Sequence, residues 1–425
     1  MRRQFGVIPT SSHKFSSQRS RPTPNRHRFG DNLTTATQNC CYCHVSSDIS
    51  AFLFHRPAGK IEASYSREVS MQDQYTVRAV DVGYGHVKWT DGRDGDDIRA
   101  DSFPSQSPIA HEGDFRSEIL QRRDTVIVPV NGRRYEVGRH VRLALSGNHE
   151  TEVLDENFPL SDAYAARLYG ALNYMLPTLP SRKIDFLVLG LPLTTFHQHS
   201  TNLSKRYVGR HVINARGDAV EIERCTVYPQ PLGSYAAYLQ SPLPHHTSAP
   251  MALVVDPGYN TVDWFVCEGM VANANQSKAV ERGMSGVLRA IAKAIIKETK
   301  TTANESEVVR LVDQAMTQGT PFRLHGKPVD ITSFLQAGDS ILEQAAQSVR
   351  NSVGSGASID IILVSGGGAA LYAPWLKRKF PDHEVVVLPE SALANVRGFH
   401  LIGDRLAESV VRSTPRKTTN EAAHV

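Results

Sequence analysis

Two short stretches decide how this chain folds: Ala79-Val80-Asp81-Val82-Gly83-Tyr84-Gly85-His86-Val87-Lys88 and Val254-Val255-Asp256-Pro257-Gly258-Tyr259-Asn260-Thr261-Val262-Asp263. In each, an apolar strand runs into an aspartate, a glycine follows two residues later, and a second strand returns after a polar turn. Gly83 and Gly85 admit backbone geometries that aim successive N–H groups at an anion. Lys88 can carry positive charge to phosphate oxygens, and Asp81 can hold a hydrated magnesium ion. Asp256 would face the metal and a terminal phosphate from the opposite side, with the second turn's N–H groups and Thr261 on phosphate. Taken alone, either stretch also reads as an ordinary hairpin with a glycine turn. Its recurrence about 175 residues later argues against chance. The first is not a Walker A loop, which needs GxxxxGK[ST] before a helix, nor a Rossmann fingerprint, because position 88 is lysine.

A third element is Ile362-Leu363-Val364-Ser365-Gly366-Gly367-Gly368-Ala369-Ala370-Leu371. A buried-looking strand enters three glycines and then a helix. Gly366, Gly367 and Gly368 let a backbone approach a flat purine or a ribose without side-chain collision. The alternative is a flexible strand-to-helix connector.

Outward from these points the pattern is α/β throughout. Strands are expected over 76–82, 87–90, 125–130, 134–138 and 184–190. Helices are expected over 162–175, with Ser161 as N-cap, over 195–207, and over 233–239 after the turn Pro229-Gln230-Pro231. Residues 241–250 hold three prolines and His245-His246, and read as a linker. The second half opens with strands at 251–255 and 262–267. Helices at 285–297, 305–317 and 333–353, a strand at 359–364, a helix at 371–380 and a strand at 384–388 follow. A terminal helix runs from Ser391 towards Ser409, and 411–425 read as a frayed end. The expected units are 1–70, 71–240, 241–390 and a helix at 391–410 that returns to the first unit.

Composition narrows the class. The charged fraction is 21% and the hydrophobic fraction 40%, as in globular proteins. No apolar run approaches the roughly 18 residues of a membrane-spanning helix, so a soluble, cytoplasmic protein without a membrane partner is expected. Residues 1–70 carry a net charge of +6 and the remainder −2, so the basic balance belongs to that segment. The body therefore gives no warrant for direct nucleic-acid binding. Residues 1–70 are rich in Ser, Arg, Thr, Pro, Asn and His and lack a lasting period, which reads as a disordered tail. A start at Met71, just before the first strand, or a targeting segment would account for them too. Of the five cysteines, Cys40, Cys41 and Cys43 lie there, leaving Cys225 and Cys267 in the body, which is no disulfide framework. Cys40-Cys41-Cys43-His44 suits tetrahedral zinc poorly. The pairs His197/His199 and His245/His246 read as polar surface, and Lys293, Lys297 and Lys300 as a solvated helix face.

The stretches from Asp81 to Lys88, Asp256 to Asp263 and Ser365 to Gly368 resemble the phosphate-1, phosphate-2 and adenosine motifs of the actin/sugar-kinase/chaperone superfamily, a duplicated ribonuclease H-like fold with ATP in the cleft between two halves. Within it the chain resembles actin-like ATPases of the ParM/StbA plasmid-segregation type, and among them protein D of PRTRC gene clusters. Gly190-Leu191-Pro192, Tyr228-Pro229-Gln230-Pro231-Leu232-Gly233 and Ala394-Asn395-Val396-Arg397-Gly398-Phe399 add to it, the last two as connecting helices between the halves.

The resemblance implies ATP and Mg2+ as cofactors, with Asp81 and Asp256 orienting the metal through water. It implies that Gly83, Tyr84, Gly85, Lys88, Gly258, Tyr259, Asn260 and Thr261 bind phosphate and that Gly366, Gly367 and Gly368 bind adenosine. Gln230 would orient the attacking water, making Gln230 and Asp256 the catalytic pair. Base contacts are implied near 281–289. Tyr84, where a small hydroxyl residue is common, and Pro257 depart from the family pattern near the terminal phosphate. The implied function is an ATPase that assembles with itself into filaments and moves plasmid DNA through a DNA-binding adaptor. A small-molecule kinase and a nucleotide-binding scaffold without turnover are the alternatives.

Overall fold

β1 (Val77–Val82) is buried at every position and returns through a tight turn into β2 (His86–Asp94), so that Asp81 stands opposite Lys88. These elements belong to a computed structural model that describes residues 75–110, 122–145, 156–243 and 250–413. All of them lie in one unit spanning Glu68–Val425. The readings of residues 1–70, of Cys40-Cys41-Cys43-His44, of His245-His246 and of residues beyond 413 fall outside the described residues.

β3 (Asp97–Pro104) continues the meander beside β2. It was not expected, because its sequence is largely polar and only Ile98 and Phe103 are buried. β4 (Val126–Val130) and β5 (Arg133–Val137) form a separate hairpin. α1 (Asp162–Met175) starts at Ser161, whose Oγ accepts the Tyr164 N–H at 3.1 Å. β6 (Lys183–Leu191) lies parallel to β1 and is followed by α2 (Leu193–Arg206). β7 (Gly209–Val212) and β8 (Ala219–Pro229), also unexpected, complete a sheet ordered β3-β2-β1-β6-β8-β7. α3 (Gln230–Leu239) leaves its end.

The second sheet repeats the plan. β9 (Met251–Pro257) and β10 (Val262–Glu268) pair antiparallel with Asp256 opposite Asp263, the same offset as Asp81 and Lys88. β11 (Val271–Ala272) and β12 (Lys278–Val280) flank β10. α4 (Met284–Thr299) and α5 (Glu305–Gln318) follow, the latter opened by a capping box between Asn304 and Glu307. A small hairpin, β13 (Arg323–Leu324) with β14 (Lys327–Pro328), precedes a 3-10 segment, Ile331–Gly338, and α6 (Asp339–Val353). The helix expected over 333–353 is thus two pieces. They meet at Gly338, which packs so closely on α4 that a Cβ there would lie 2.7 Å from Val287 Cγ1. β15 (Ile361–Val364) runs parallel to β9; then come α7 (Ala369–Lys379), β16 (Val385–Val387) and α8 (Ala394–Ser413). The order is β11-β10-β9-β15-β16.

Each sheet has its own apolar core, and a third core joins them. In that third core Ala79 and Val188 of the first sheet and Val254 and Leu363 of the second pack with Tyr235 of α3 and Phe399 of α8. Burying an aromatic or branched side chain there contributes roughly 1.5–3 kcal/mol. The two helices cross where Gly398 meets the Gly233 carbonyl, too close for any Cβ. α8 then lies on the first sheet, where His400 Nδ1 bonds Thr90 Oγ1 at 2.9 Å. Among the described residues no helix is long and apolar enough to cross a membrane.

Candidate active site

The two aspartate hairpins end at one cavity of about 420 Å³, bounded also by the starts of α3, α4 and α7. Asp81, Gly83, Tyr84, Gly85, Lys88, Gln230, Asp256, Gly258, Tyr259, Asn260, Thr261, Gly366 and Gly367 all line it. Gly368 sits behind the wall: its N–H donates to the Pro257 carbonyl at 3.0 Å, and it packs on Met284. Gly366 has φ +77° and passes so near Asp256 Oδ1 that no side chain fits, which is why the loop needs glycine there.

Asp81 is fully buried and doubly engaged: Lys88 Nζ donates to Oδ2 at 3.0 Å, and Gln230 Nε2 to Oδ1 at 2.6 Å. An ionised carboxylate only accepts, so this contact fixes the Gln230 amide orientation and leaves Oε1 for the cavity. Asp256 accepts from Asn395 Nδ2 at 2.6 Å. The Asn395 oxygen is itself held by Ser234 Oγ at 2.5 Å. Burial raises the Asp256 pKa, against the pull of Lys88 and the Asn395 bond, while Asp81 pushes it further up. Burial opposes the Lys88 charge, yet Asp81 and Asp256 outweigh it and the Lys88 pKa is raised. His86 lines the same cavity, and burial, Lys88 and Arg142 lower its pKa to about 4, so it is neutral.

Two residues whose roles sequence reasoning missed belong to this site. Asn395 is one, and an internal signal could have found it. Gln230 and Gly233 of α3 share their spacing with Asn395 and Gly398 of α8, an amide three residues before the crossing glycine. Asp263 is the other. Its Oδ1 accepts the Leu193 N–H of the first half at 2.8 Å, and its Oδ2 accepts from Thr261 Oγ1 at 2.5 Å. The Thr261 hydroxyl, expected on phosphate, thus has its proton committed to Asp263; what remains for an anion is the turn's backbone. Burial lifts the Asp263 pKa to about 7, the Thr261 bond opposing and Asp256 adding to the rise.

Met284 and Leu288, within the 281–289 segment, line the apolar end of the cavity with Met316 and Thr317 of α5 and with Ala370 and Leu371. Tyr84 turns its ring onto Phe158 at 5.3 Å between centroids. Tyr259 closes against Gly85, where a Cβ would lie 3.0 Å from its ring. His197 is at the surface as expected, but His199 is not: it is buried, with Nε2 bonded to the Glu156 carbonyl at 2.8 Å. Among the described residues no cluster of three His, Cys, Asp or Glu side chains could hold a metal directly. Two buried carboxylates sharing one lysine do fit a divalent cation held through water, whose charge would offset the burial, and the lesser repulsion from Asp81, that raise the Asp256 pKa. What converges on the cavity is the backbone of two turns, one lysine and two carboxylates, with apolar side chains at its other end.

Residues 79–233 match the N-terminal domain of the actin-like proteins, and residues 254–378 match the C-terminal domain of the archaeal MreB-like actin homologue. The chain is therefore an actin-like protein, carrying both domains in order. Within that class it is similar to archaeal actin homologues and to ParM. The crystal structure of an archaeal actin homologue superposes with a TM-score of 0.61 at 19% identity, covering 78% of this chain and 99% of that one. A ParM from Clostridium botulinum, solved as a 15-stranded filament, gives 0.60 at 18%, covering 78% and 99%. ParM from Bacillus thuringiensis with ATP gives 0.55 at 14%, covering 78% and 98%. No curated protein matches the chain in sequence.

Proposed function

We propose that this protein binds ATP with Mg2+ in the cleft between its two halves, polymerises when ATP closes that cleft, and depolymerises after hydrolysis. The observation that carries the reading is the convergence of Asp81, Lys88, Gln230 and Asp256 on one cavity from both halves. Lys88 and the turns around Tyr84 and Tyr259 take the phosphates, and Gly366 and Gly367 take the adenosine. Asp81 and Asp256 hold the hydrated cation, which neutralises phosphate charge. Gln230 keeps Oε1 free to place a water in line with the terminal phosphate. Because opposite halves grip one ligand, the ligand fixes the angle between them. A subunit held at one angle can repeat a head-to-tail contact without closing on itself, which yields filaments. The solved ParM filament supports this reading by likeness of fold.

The cellular role we propose is plasmid segregation in the cytoplasm, with a DNA-binding adaptor linking filament to DNA. Its units are residues 71–240 and 241–390, with the helix at 391–410 returning to the first. Ultracentrifugation with ATP, ADP or no nucleotide tests the central claim: sediment with ATP and mainly soluble protein with ADP are expected. Asp256→Ala should lose hydrolysis by orders of magnitude while staying folded. Tight ATP binding with no sediment at micromolar concentrations would put a small-molecule kinase or a non-hydrolysing scaffold ahead.

A further inference from the structure

Arg142 sits in a 3-10 turn, Val141–Ala144, just after β5 of the first half, and Asp313 sits on α5 of the second. Arg142 Nη2 lies 3.9 Å from Asp313 Oδ2, with the two side chains only 17% and 25% exposed. The pair joins the two halves across the cleft. Asp313 lines the cavity that holds the aspartates, and it also lines a second cavity of about 610 Å³ where Arg142 is found. Tyr84, Gly85 and Tyr259 lie on both cavities, so the Tyr259–Gly85 contact and the ion pair stand side by side in the wall between them.

Neither charge is comfortable alone. Burial lowers the Arg142 pKa, with Asp313 opposing and Arg310 adding to the fall. Burial raises the Asp313 pKa, with Arg142 opposing. Burial opposes both charges, so what holds the halves together here is the Coulomb attraction across 3.9 Å, the modest gain of an ordinary ion pair.

We propose that Arg142 and Asp313 form a clasp across the cleft between the halves that controls how fast nucleotide enters and leaves. The proposal rests on the nucleotide-site reading above and names its regulation. Opening the halves would separate the pair, because its members stand on elements of opposite halves. A bound nucleotide would then leave only in the moments when the clasp is open.

The test uses the full chain. Since Asp313 also lines the nucleotide cavity, the decisive variant is Arg142→Gln, accompanied by the exchanged pair Arg142→Asp with Asp313→Arg. Stopped-flow chase of a fluorescent ATP analogue should show release roughly fivefold faster in Arg142→Gln, as expected for a lost ion pair of ordinary strength. The exchanged pair should restore most of the original rate. Amide hydrogen exchange without nucleotide gives a second readout: the Tyr84–Gly85 and Gly258–Asn260 turns should exchange faster in Arg142→Gln. Unchanged release and exchange, or acceleration that the exchanged pair fails to reverse, would overturn the clasp. Failure of the unaltered protein to bind any nucleotide would instead overturn the site reading, and the exchange data alone would then decide the clasp.

Discussion

The side-chain amide of Asn395 donates to Asp256 at 2.6 Å, and on the other half of the molecule Gln230 donates to Asp81 at the same distance. The pairs differ in what is left over. Asn395 has its oxygen held by Ser234, whereas Gln230 keeps an oxygen for the cavity. Asn395→Ala should therefore act on stability, leaving buried Asp256 without its donor at a cost of about 1–3 kcal/mol. Gln230→Ala should act on turnover, lowering phosphate release roughly 10²-fold through lost water placement while ATP affinity stays close to the original. Denaturant unfolding and single-turnover phosphate assays on both variants check the division. Equal effects of the two on turnover would contradict it.

Lys88 balances two buried carboxylates and lines the cavity proposed to hold the polyphosphate. Lys88→Met should weaken ATP binding by about 1.5–3 kcal/mol, a loss of roughly 10–150-fold. It should also lower the melting temperature without nucleotide, because Asp81 then lacks its cation. Calorimetric titration and thermal unfolding read the two effects separately.

Asp263 makes the nucleotide-free protein sensitive to pH. Its pKa of about 7 in the fold exceeds the ordinary carboxylate value of roughly 3.9, so between those values the folded state holds a proton that the unfolded state has released. Stability from this group is fully present below the unfolded pKa and declines as pH rises towards 7. The melting temperature should therefore fall from pH 5 to pH 8 more steeply in the unaltered protein than in Asp263→Asn. Parallel slopes would mean that Asp263 does not titrate as described.

Glycines of the chain should divide sharply by place. At Gly398 any Cβ collides with the Gly233 carbonyl, whereas at Gly367 a Cβ meets nothing within 4 Å. Gly398→Ala should cost about 1–3 kcal/mol or more despite the better helix propensity of alanine. Gly367→Ala should stay within about 0.5 kcal/mol. Chemical denaturation of the two variants decides it.

What could be read from the residues was whatever is encoded locally. Both aspartate hairpins, the glycine loop and the Ser161 cap declare themselves by spacing and residue type, and the cavity gathers nearly every residue those motifs point to. β3 and β8 were missed for different reasons. In β3 only Ile98 and Phe103 are buried, too few to show an alternation until a neighbouring strand supplies the pairing. β8 does alternate, with Val220 and Ile222 buried between exposed Glu221 and Glu223, and could have been read. Asp263 lay in plain view inside the second hairpin, but its role depends on Leu193, some seventy positions earlier, and no local pattern carries that. The pair Arg142 and Asp313 was invisible for the same reason.

The meeting of Gly233 with Gly398 has an evolutionary consequence. A bearing with no clearance cannot be retuned by small steps: every replacement at the axle is larger than glycine, and each one jams it. The contact between Arg142 and Asp313, by contrast, is made by two side chains whose length and charge can change by single steps. Drift should thus hold the crossing fixed and leave that pair freer to vary.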